Sequence, residues 1–202
     1  MFDFGGVLIT SIHHQLGKVA ATHGVDLGVM KSVLMGPATS GDHPWQRAER
    51  GEIAVAEIQG MLDPWAEAAG LRLRGDEIDA VMLPGQYERV ERMHDRVVEL
   101  RRVGYTTGLL TNTFSEFRPT MKRDVDFSAF DAVIESFAVG SRKPERRIYE
   151  ATEEALGATG GAIAYLDDFD ENLAVPRERG WRTILVDDHD AALVELGSLL
   201  RP

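Results

Sequence analysis

Two rhythms of apolar and polar positions divide the chain. From His13 to about Met82 the apolar residues recur at helical spacing: Leu16, Val19 and Ala20 share a face that ends near Gly24. Ile58, Met61, Leu62 and Trp65 follow at i, i+3, i+4 and i+7, with Met61 and Trp65 expected in a core. Turn formers from Gly36 to Pro44 separate these helices. Asp63-Pro64 breaks or restarts the second one, since proline is tolerated at a first helical position. A short helix from Asp76 to Met82 closes the region at Pro84-Gly85. No strand pattern interrupts this block, which predicts an all-helical insertion over residues 12–83.

The remainder alternates. Val90, Met93, Val97 and Leu100 mark a helix stopped at Gly104, and Tyr105 to Leu110 reads as a buried strand ending at Thr111-Asn112-Thr113. A helix broken near Pro119, a short strand at Ala132-Val133-Ile134 and a helix opened by Pro144 and stopped at Gly157 come next. Ala162 to Leu166 predicts a strand running into Asp167-Asp168, followed by a helix kinked at Pro176, a strand at Thr183 to Val186 and a helix from Ala191 to Leu200. Strands alternating with helices imply right-handed crossovers and a parallel sheet. The expected fold is therefore α/β: a Rossmann-like parallel sheet with helices on both faces, built from residues 1–11 and 84–202, with an inserted α-helical cap at 12–83. The front of the chain is unusual. Only Met1 and Phe2 precede Asp3, whereas strands typically run about 5–6 residues, so the first strand is short or its start is truncated.

Composition narrows the function. Hydrophobic residues are 44% and charged residues 27% of the 202, ordinary for a globular domain of one core with an insertion. The absence of cysteine removes disulfide and thiolate chemistry. A net charge of −11 argues against nucleic acid and anionic membranes as partners. No apolar run approaches the roughly 18 residues of a membrane span and no signal-peptide pattern opens the chain, so a cytoplasmic location is expected; the expected assembly is a monomer or a homodimer, between which the sequence does not decide.

The candidate chemistry lies at the predicted strand ends, where open α/β sheets bind ligands. Asp3 precedes Gly5-Gly6, which let the backbone turn sharply; Thr111-Asn112, Lys143 and Asp167-Asp168 lie at later strand ends or loops. Singly, such residues are most often turn formers, N-caps or solvated loop residues. Together they offer a carboxylate that can attack an electrophile, a lysine and a hydroxyl for phosphate oxygens, and carboxylates that a hard cation such as Mg2+ would relieve of mutual repulsion.

At these residues the sequence resembles the haloacid dehalogenase superfamily, in the branch with a helical cap after the first strand. The resemblance is strongest in Ile134-Glu135-Ser136, Val139-Gly140, Lys143-Pro144-Glu145, Ile148-Tyr149, Leu166-Asp167-Asp168, Asn172-Leu173, Gly180 and Thr183-Ile184-Leu185-Val186. Within the superfamily it is similar to the amino-terminal phosphatase domain of soluble epoxide hydrolases and related bacterial phosphatases. The resemblance implies that Asp3 is the nucleophile, that Thr111, Asn112, Lys143 and Gly6 bind the phosphoryl group, and that Asp3, the Gly5 carbonyl and Asp168 hold Mg2+, supported by Asp167 and Asn172. It implies hydrolysis of a small phosphorylated metabolite through an aspartyl phosphate. One departure stands out: phosphatases of the superfamily usually carry an acid–base aspartate two residues after the nucleophile, and here that position is Gly5. Two other readings stay open, a metal-free 2-haloacid dehalogenase and a non-catalytic binding protein. His43, in the polar stretch Asp42 to Arg47, could stand in for the missing acid; a surface loop with Trp45 packed in the cap competes with that reading. His13, His14 and His94 are expected on the surface or in helices rather than as ligands.

Overall fold

The computed structural model describes residues 1–37, 41–82 and 87–200. The proposed turn at Pro84-Gly85, the middle of the loop from Gly36 to Pro44 and the junction between 83 and 84 lie outside the described residues. Six helices occupy the first predicted block: α1 (His13–His23), α2 (Leu27–Met35), α3 (Pro44–Glu49), α4 (Val55–Met61), α5 (Asp63–Ala68) and α6 (Gly75–Met82). As the spacing predicts, Leu16, Val19 and Ala20 form the buried face of α1, and Gly24 ends it in the left-handed region at φ 65°. Pro64 restarts the chain as α5, so the face expected of one helix is shared by two. Ile58 and Leu62 are fully buried, whereas Met61 and Trp65 are only half-buried, because the restart turns them away from the centre. Among the described residues, α1 to α4 and α6 share an apolar cluster that includes Leu16, Met30, Leu34, Trp45, Ile58 and Ile78, and Phe114 joins it from the sheet side.

Helices α7 (Glu91–Arg102), α8 (Arg118–Asp124), α9 (Ser136–Val139), α10 (Arg146–Leu156), α11 (Asp170–Glu178) and α12 (His189–Leu199) surround strands β1 (Gly108–Thr111), β2 (Ala132–Glu135), β3 (Ala164–Asp167) and β4 (Arg182–Leu185). Pairs β1–β2 and β3–β4 are parallel. Phe2 joins them as a strand of one residue, bridging Leu109 on one side and Leu166 on the other. Its N–H donates to the Gly108 carbonyl (2.8 Å) and its own carbonyl accepts from Leu110 (2.9 Å), while Asp3 N–H donates to Leu166 (2.9 Å). The order is thus β2-β1-Phe2-β3-β4. The short first strand is held by its neighbours rather than by its own length.

Side chains alternate across this sheet with the period of two that strands impose. Leu109 and Leu166 join Phe2, the α7 residues Met93 and Val97 and the α12 residue Leu196 on one face. Leu110 and Tyr165 join Ile148 and Tyr149 of α10 and Leu173 of α11 on the other. Helices therefore cover both faces, and burying each large apolar side chain contributes about 1.5–3 kcal/mol. Among the described residues no helix is long and apolar enough to cross a membrane.

Several boundaries differ from expectation by one to three residues, and three of them have a visible cause. The strand predicted from Tyr105 begins at Gly108; Tyr105 N–H still bonds back to Leu100 at the end of α7, and its side chain is exposed. Pro119 opens α8 within its first turn rather than breaking a longer helix. Pro144 precedes α10 instead of opening it, because Glu145 N–H closes a turn on the Arg142 carbonyl (2.7 Å) before the helix begins at Arg146. Pro176 does lie inside α11. Lacking an N–H, it leaves the Asn172 carbonyl without its helical donor, and the Tyr149 hydroxyl donates there instead (2.7 Å).

Candidate active site

Asp3 leaves the sheet at the carboxyl end of Phe2, beside the carboxyl ends of β1 and β3. Its Oδ1 accepts the Phe4 N–H (2.7 Å) and pairs with Lys143 Nζ (2.8 Å). Its Oδ2 accepts no hydrogen bond among the described residues. Gly6 then takes φ 71°, a conformation that strains any residue with a Cβ. A Cβ there would also lie 2.0 Å from Asp168 Oδ2, so the Asp168 carboxylate packs directly on the glycine turn. Gly5 is different: a Cβ at that position meets nothing within 4 Å. Packing demands glycine at position 6 but not at position 5.

Lys143 is 1% exposed and donates to Asp3, to Asp167 Oδ2 (2.7 Å) and, more weakly, to the Leu110 carbonyl (3.4 Å). Asn112 holds its backbone from both sides, accepting the Lys143 N–H (2.7 Å) and donating to the Lys143 carbonyl (3.0 Å). The Asn112 amide is therefore committed to placing the lysine. Thr111 ends β1, is buried, and turns its hydroxyl to the Asn112 carbonyl (3.2 Å).

The two adjacent aspartates have opposite situations. Asp167 Oδ1 accepts from Phe169 N–H (2.8 Å) and Asn172 Nδ2 (3.0 Å); Oδ2 accepts from Lys143, Asn172 and the Tyr165 hydroxyl. Both oxygens are saturated. Asp168 Oδ2 accepts the Ser11 hydroxyl (2.6 Å), whereas Oδ1 is buried with no partner among the described residues. Carboxylate oxygens of Asp3, Asp167 and Asp168 lie within 4.8 Å of one another.

Electrostatics follow from that crowding. Burial lifts the Asp3 carboxyl well above the usual range; Lys143 pulls it down, and Asp167 and Asp168 push it up again. Burial, then the neighbouring Asp167 charge, pushes Asp168 up to about 7. Burial alone would discharge Lys143, but Asp167 and Asp3 outweigh it and hold its pKa above the ordinary lysine value. An all-oxygen donor set with one buried carboxylate oxygen left unpaired fits a hard divalent cation. Asp3 and Asp168 have oxygens to give; Asp167 does not.

A cavity of about 190 Å³ opens above these groups, between the sheet and the helical insertion. Asp3, Gly5, Thr111, Asn112, Lys143, Asp168 and Asn172 line it, together with Ile12, Met35, Trp45, Val81, Phe114 and Phe169. Its wall is mostly apolar.

Several participants left little trace in the sequence. Glu49 of α3 pairs with Arg142, the neighbour of Lys143, and accepts the Trp45 indole N–H (2.9 Å). Lys31 of α2 pairs with Glu171 and sits 3.9 Å over the Phe169 ring. The Glu49–Trp45 spacing of four is a weak signal; contacts from one end of the chain to the other give none. His43 is neither a surface loop residue nor an acid for the cavity. It is buried, its Nδ1 accepting Trp45 N–H (3.2 Å) and its Nε2 donating to the Val33 carbonyl (3.1 Å), so it caps α3 as a neutral ring. Trp45 packs as expected in the insertion's cluster while also lining the cavity. His94 donates to the Leu8 carbonyl (2.9 Å) and His13 packs edge-on against Phe169, neither touching the carboxylates.

Comparison with known proteins places this arrangement. Residues 1–177 match the family model for haloacid dehalogenase-like hydrolases. Among curated proteins the chain is 30% identical over 205 residues to acyl-CoA dehydrogenase family member 10 of Mus musculus, covering 99% of this chain and 19% of that protein. It is 39% identical over 104 residues to bifunctional epoxide hydrolase 2 of Rattus norvegicus, covering 48% of this chain and 18% of the relative. The chain thus spans about a fifth of the length of these relatives. A sesquiterpene phosphatase of Aspergillus oryzae is 24% identical over 203 residues, 99% of this chain and 95% of its own length. Among solved structures, a HAD family enzyme of Bacteroides thetaiotaomicron in complex with magnesium and inorganic phosphate superposes with a TM-score of 0.61 at 22% identity, covering 91% of each chain. The L-2-haloacid dehalogenase of Xanthobacter autotrophicus with covalently bound chloropropionic acid also gives 0.61, at 17% identity over 99% of this chain and 83% of that one.

Proposed function

Because the chain belongs to the haloacid dehalogenase-like hydrolases, we propose that it is a Mg2+-dependent phosphatase acting on a small phosphate monoester with an apolar organic part. The observation that carries this reading is Asp168 Oδ1, a buried carboxylate oxygen with no partner, beside a nucleophile candidate that already touches a buried lysine. A metal-free dehalogenase leaves that oxygen unexplained. Asp3 and Asp168, with the Gly5 carbonyl, would hold the ion. When bound, Mg2+ supplies positive charge that offsets the phosphoryl oxygens.

The residues themselves do the rest. Asp3 attacks phosphorus, an Asp3–phosphorus bond forms, and the bond to the alcohol oxygen breaks; that oxygen takes its proton from solvent. Water then cleaves the aspartyl phosphate, returning the Asp3 carboxylate and releasing inorganic phosphate. Lys143, fixed at its backbone by Asn112, neutralises charge on the transferring group, and Thr111 offers its hydroxyl to a phosphoryl oxygen. Asp167 keeps Lys143 charged and in place, and Asn172 keeps Asp167 in place. Residues 12–83 act as a cap: Trp45, Met35 and Val81 exclude water and contact the organic part. The apolar wall and the likeness to a sesquiterpene phosphatase both favour an apolar alcohol as the leaving portion.

Hydrolysis of p-nitrophenyl phosphate, measured with Mg2+ and with EDTA, tests this. Turnover is expected only with metal, and Asp3→Asn is expected to lose more than about 10³-fold in kcat/KM. A second reading, a 2-haloacid dehalogenase, draws support from Gly5. Metal-independent halide release from 2-chloropropionate, with no phosphatase activity above the Asp3→Asn background, would replace the first reading with the second.

A further inference from the structure

We propose that Ser11 is a positioning residue for Asp168, aiming the unpaired carboxylate oxygen at the metal; this rests on the Mg2+ reading above. Ser11 and Asp168 are 157 residues apart, yet the hydroxyl donates to Asp168 Oδ2 at 2.6 Å. The direction of that bond is fixed by a second one. Ser11 Oγ accepts the N–H of His13, the first residue of α1, at 3.3 Å, so its single proton is turned towards the carboxylate. On its other side the same Oδ2 packs against the Gly6 turn, where no Cβ fits. Held between a hydroxyl and a glycine backbone, the carboxylate has one oxygen engaged and the other, Oδ1, left buried and free.

Ser11 touches neither Asp3 nor Lys143 among the described contacts, so it acts through Asp168 alone. It is also the point at which the chain leaves the sheet for the helical insertion: Thr10 N–H bonds to the Glu88 carbonyl (2.8 Å), and Glu88 N–H to Thr10 Oγ1 (3.0 Å), tying the outgoing segment to the returning one. Ser11 therefore sits on a braced segment rather than on a free loop, which suits a group that must hold a ligand's orientation. Partners that orient a metal ligand typically change metal affinity about 10–100-fold when removed.

The test is Mg2+ affinity by titration calorimetry on the intact chain without substrate, with the melting temperature of the metal-free protein as a control. Ser11→Ala is expected to weaken Mg2+ binding about tenfold or more, and Ser11→Thr, which keeps the hydroxyl, to stay within about threefold of wild type. Ser11→Cys, similar in size but a weak donor, is expected to follow alanine and serves if the alanine variant folds poorly. An alanine variant that binds within about twofold of wild type, or a threonine variant as weak as alanine, overturns the inference. A wild type that binds no Mg2+ overturns the metal reading as well, and is told apart because failure of the Ser11 role alone requires a wild type that binds.

Discussion

At the scale of single residues, the site is a set of side chains whose partners decide their work. Asp167 and Asp168 are chemically identical and adjacent, but five hydrogen bonds from four residues saturate one while the other keeps an oxygen without a partner among the described residues. The sequence shows the pair without ranking its members, whereas the hydrogen bonds distinguish them. Gly5 and Gly6 likewise read alike in sequence, yet only Gly6 is demanded by backbone and packing. The polar letters around His43 suggest a surface, whereas both ring nitrogens are used internally. Burial lowers its pKa to about 4, against an ordinary value near 6.5. The unfolded chain therefore takes up a proton between those values that the folded chain refuses. His43 disfavours folding only in acid: its neutral fit is fully effective above about pH 6.5 and is lost as pH falls towards 4. Chemical denaturation at pH 7.5 and 4.5 should show a drop in stability that is smaller in His43→Asn, which retains an N-cap side chain.

At the scale of elements, helix faces were legible because Leu16, Val19 and Ala20, or Met93, Val97 and Leu100, repeat at the helical period within one segment. The parallel sheet was legible from alternation of elements. What escaped were boundaries set by hydrogen bonds from distant residues: Asn112 fixes the turn at Lys143-Pro144, and that turn delays α10 to Arg146. The contact between α3 and this turn escaped for the same reason. Glu49 and Arg142 are both buried, and the indole of Trp45 completes the Glu49 carboxylate. Removing one partner strands a charge: Arg142→Met or Glu49→Gln alone should cost about 3–5 kcal/mol by urea denaturation, whereas the double variant should recover most of it. Equal losses in the single and double variants would show that the pair acts only through packing.

At the scale of the whole molecule, the insertion and the sheet meet along a seam that holds the cavity. The seam is closed on one side by Glu49–Arg142 and Arg50–Glu145 (3.0 Å) and on another by Lys31–Glu171. Asp3, Ser11, Thr111, Asn112, Lys143, Asp167, Asp168 and Asn172 all come from the sheet half, whereas the apolar wall is shared, with Ile12, Met35, Trp45 and Val81 from the insertion facing Phe4, Phe114 and Phe169 of the sheet half.

Within that seam Lys143 faces three carboxylates, Asp3, Asp167 and Asp168. With the carboxylates ionised, the pocket repels a phosphate dianion and attracts a divalent cation. Occupancy by the two should then be thermodynamically linked, each strengthening the other by the same factor. Calorimetry should find inorganic phosphate binding at least about tenfold tighter with Mg2+ than without, and Mg2+ tighter by an equal ratio with phosphate. On the phosphatase reading, where phosphate esters are scarce and Mg2+ abundant, the cation would load first, and the acidic pocket would admit an anionic substrate once its own charge had been neutralised.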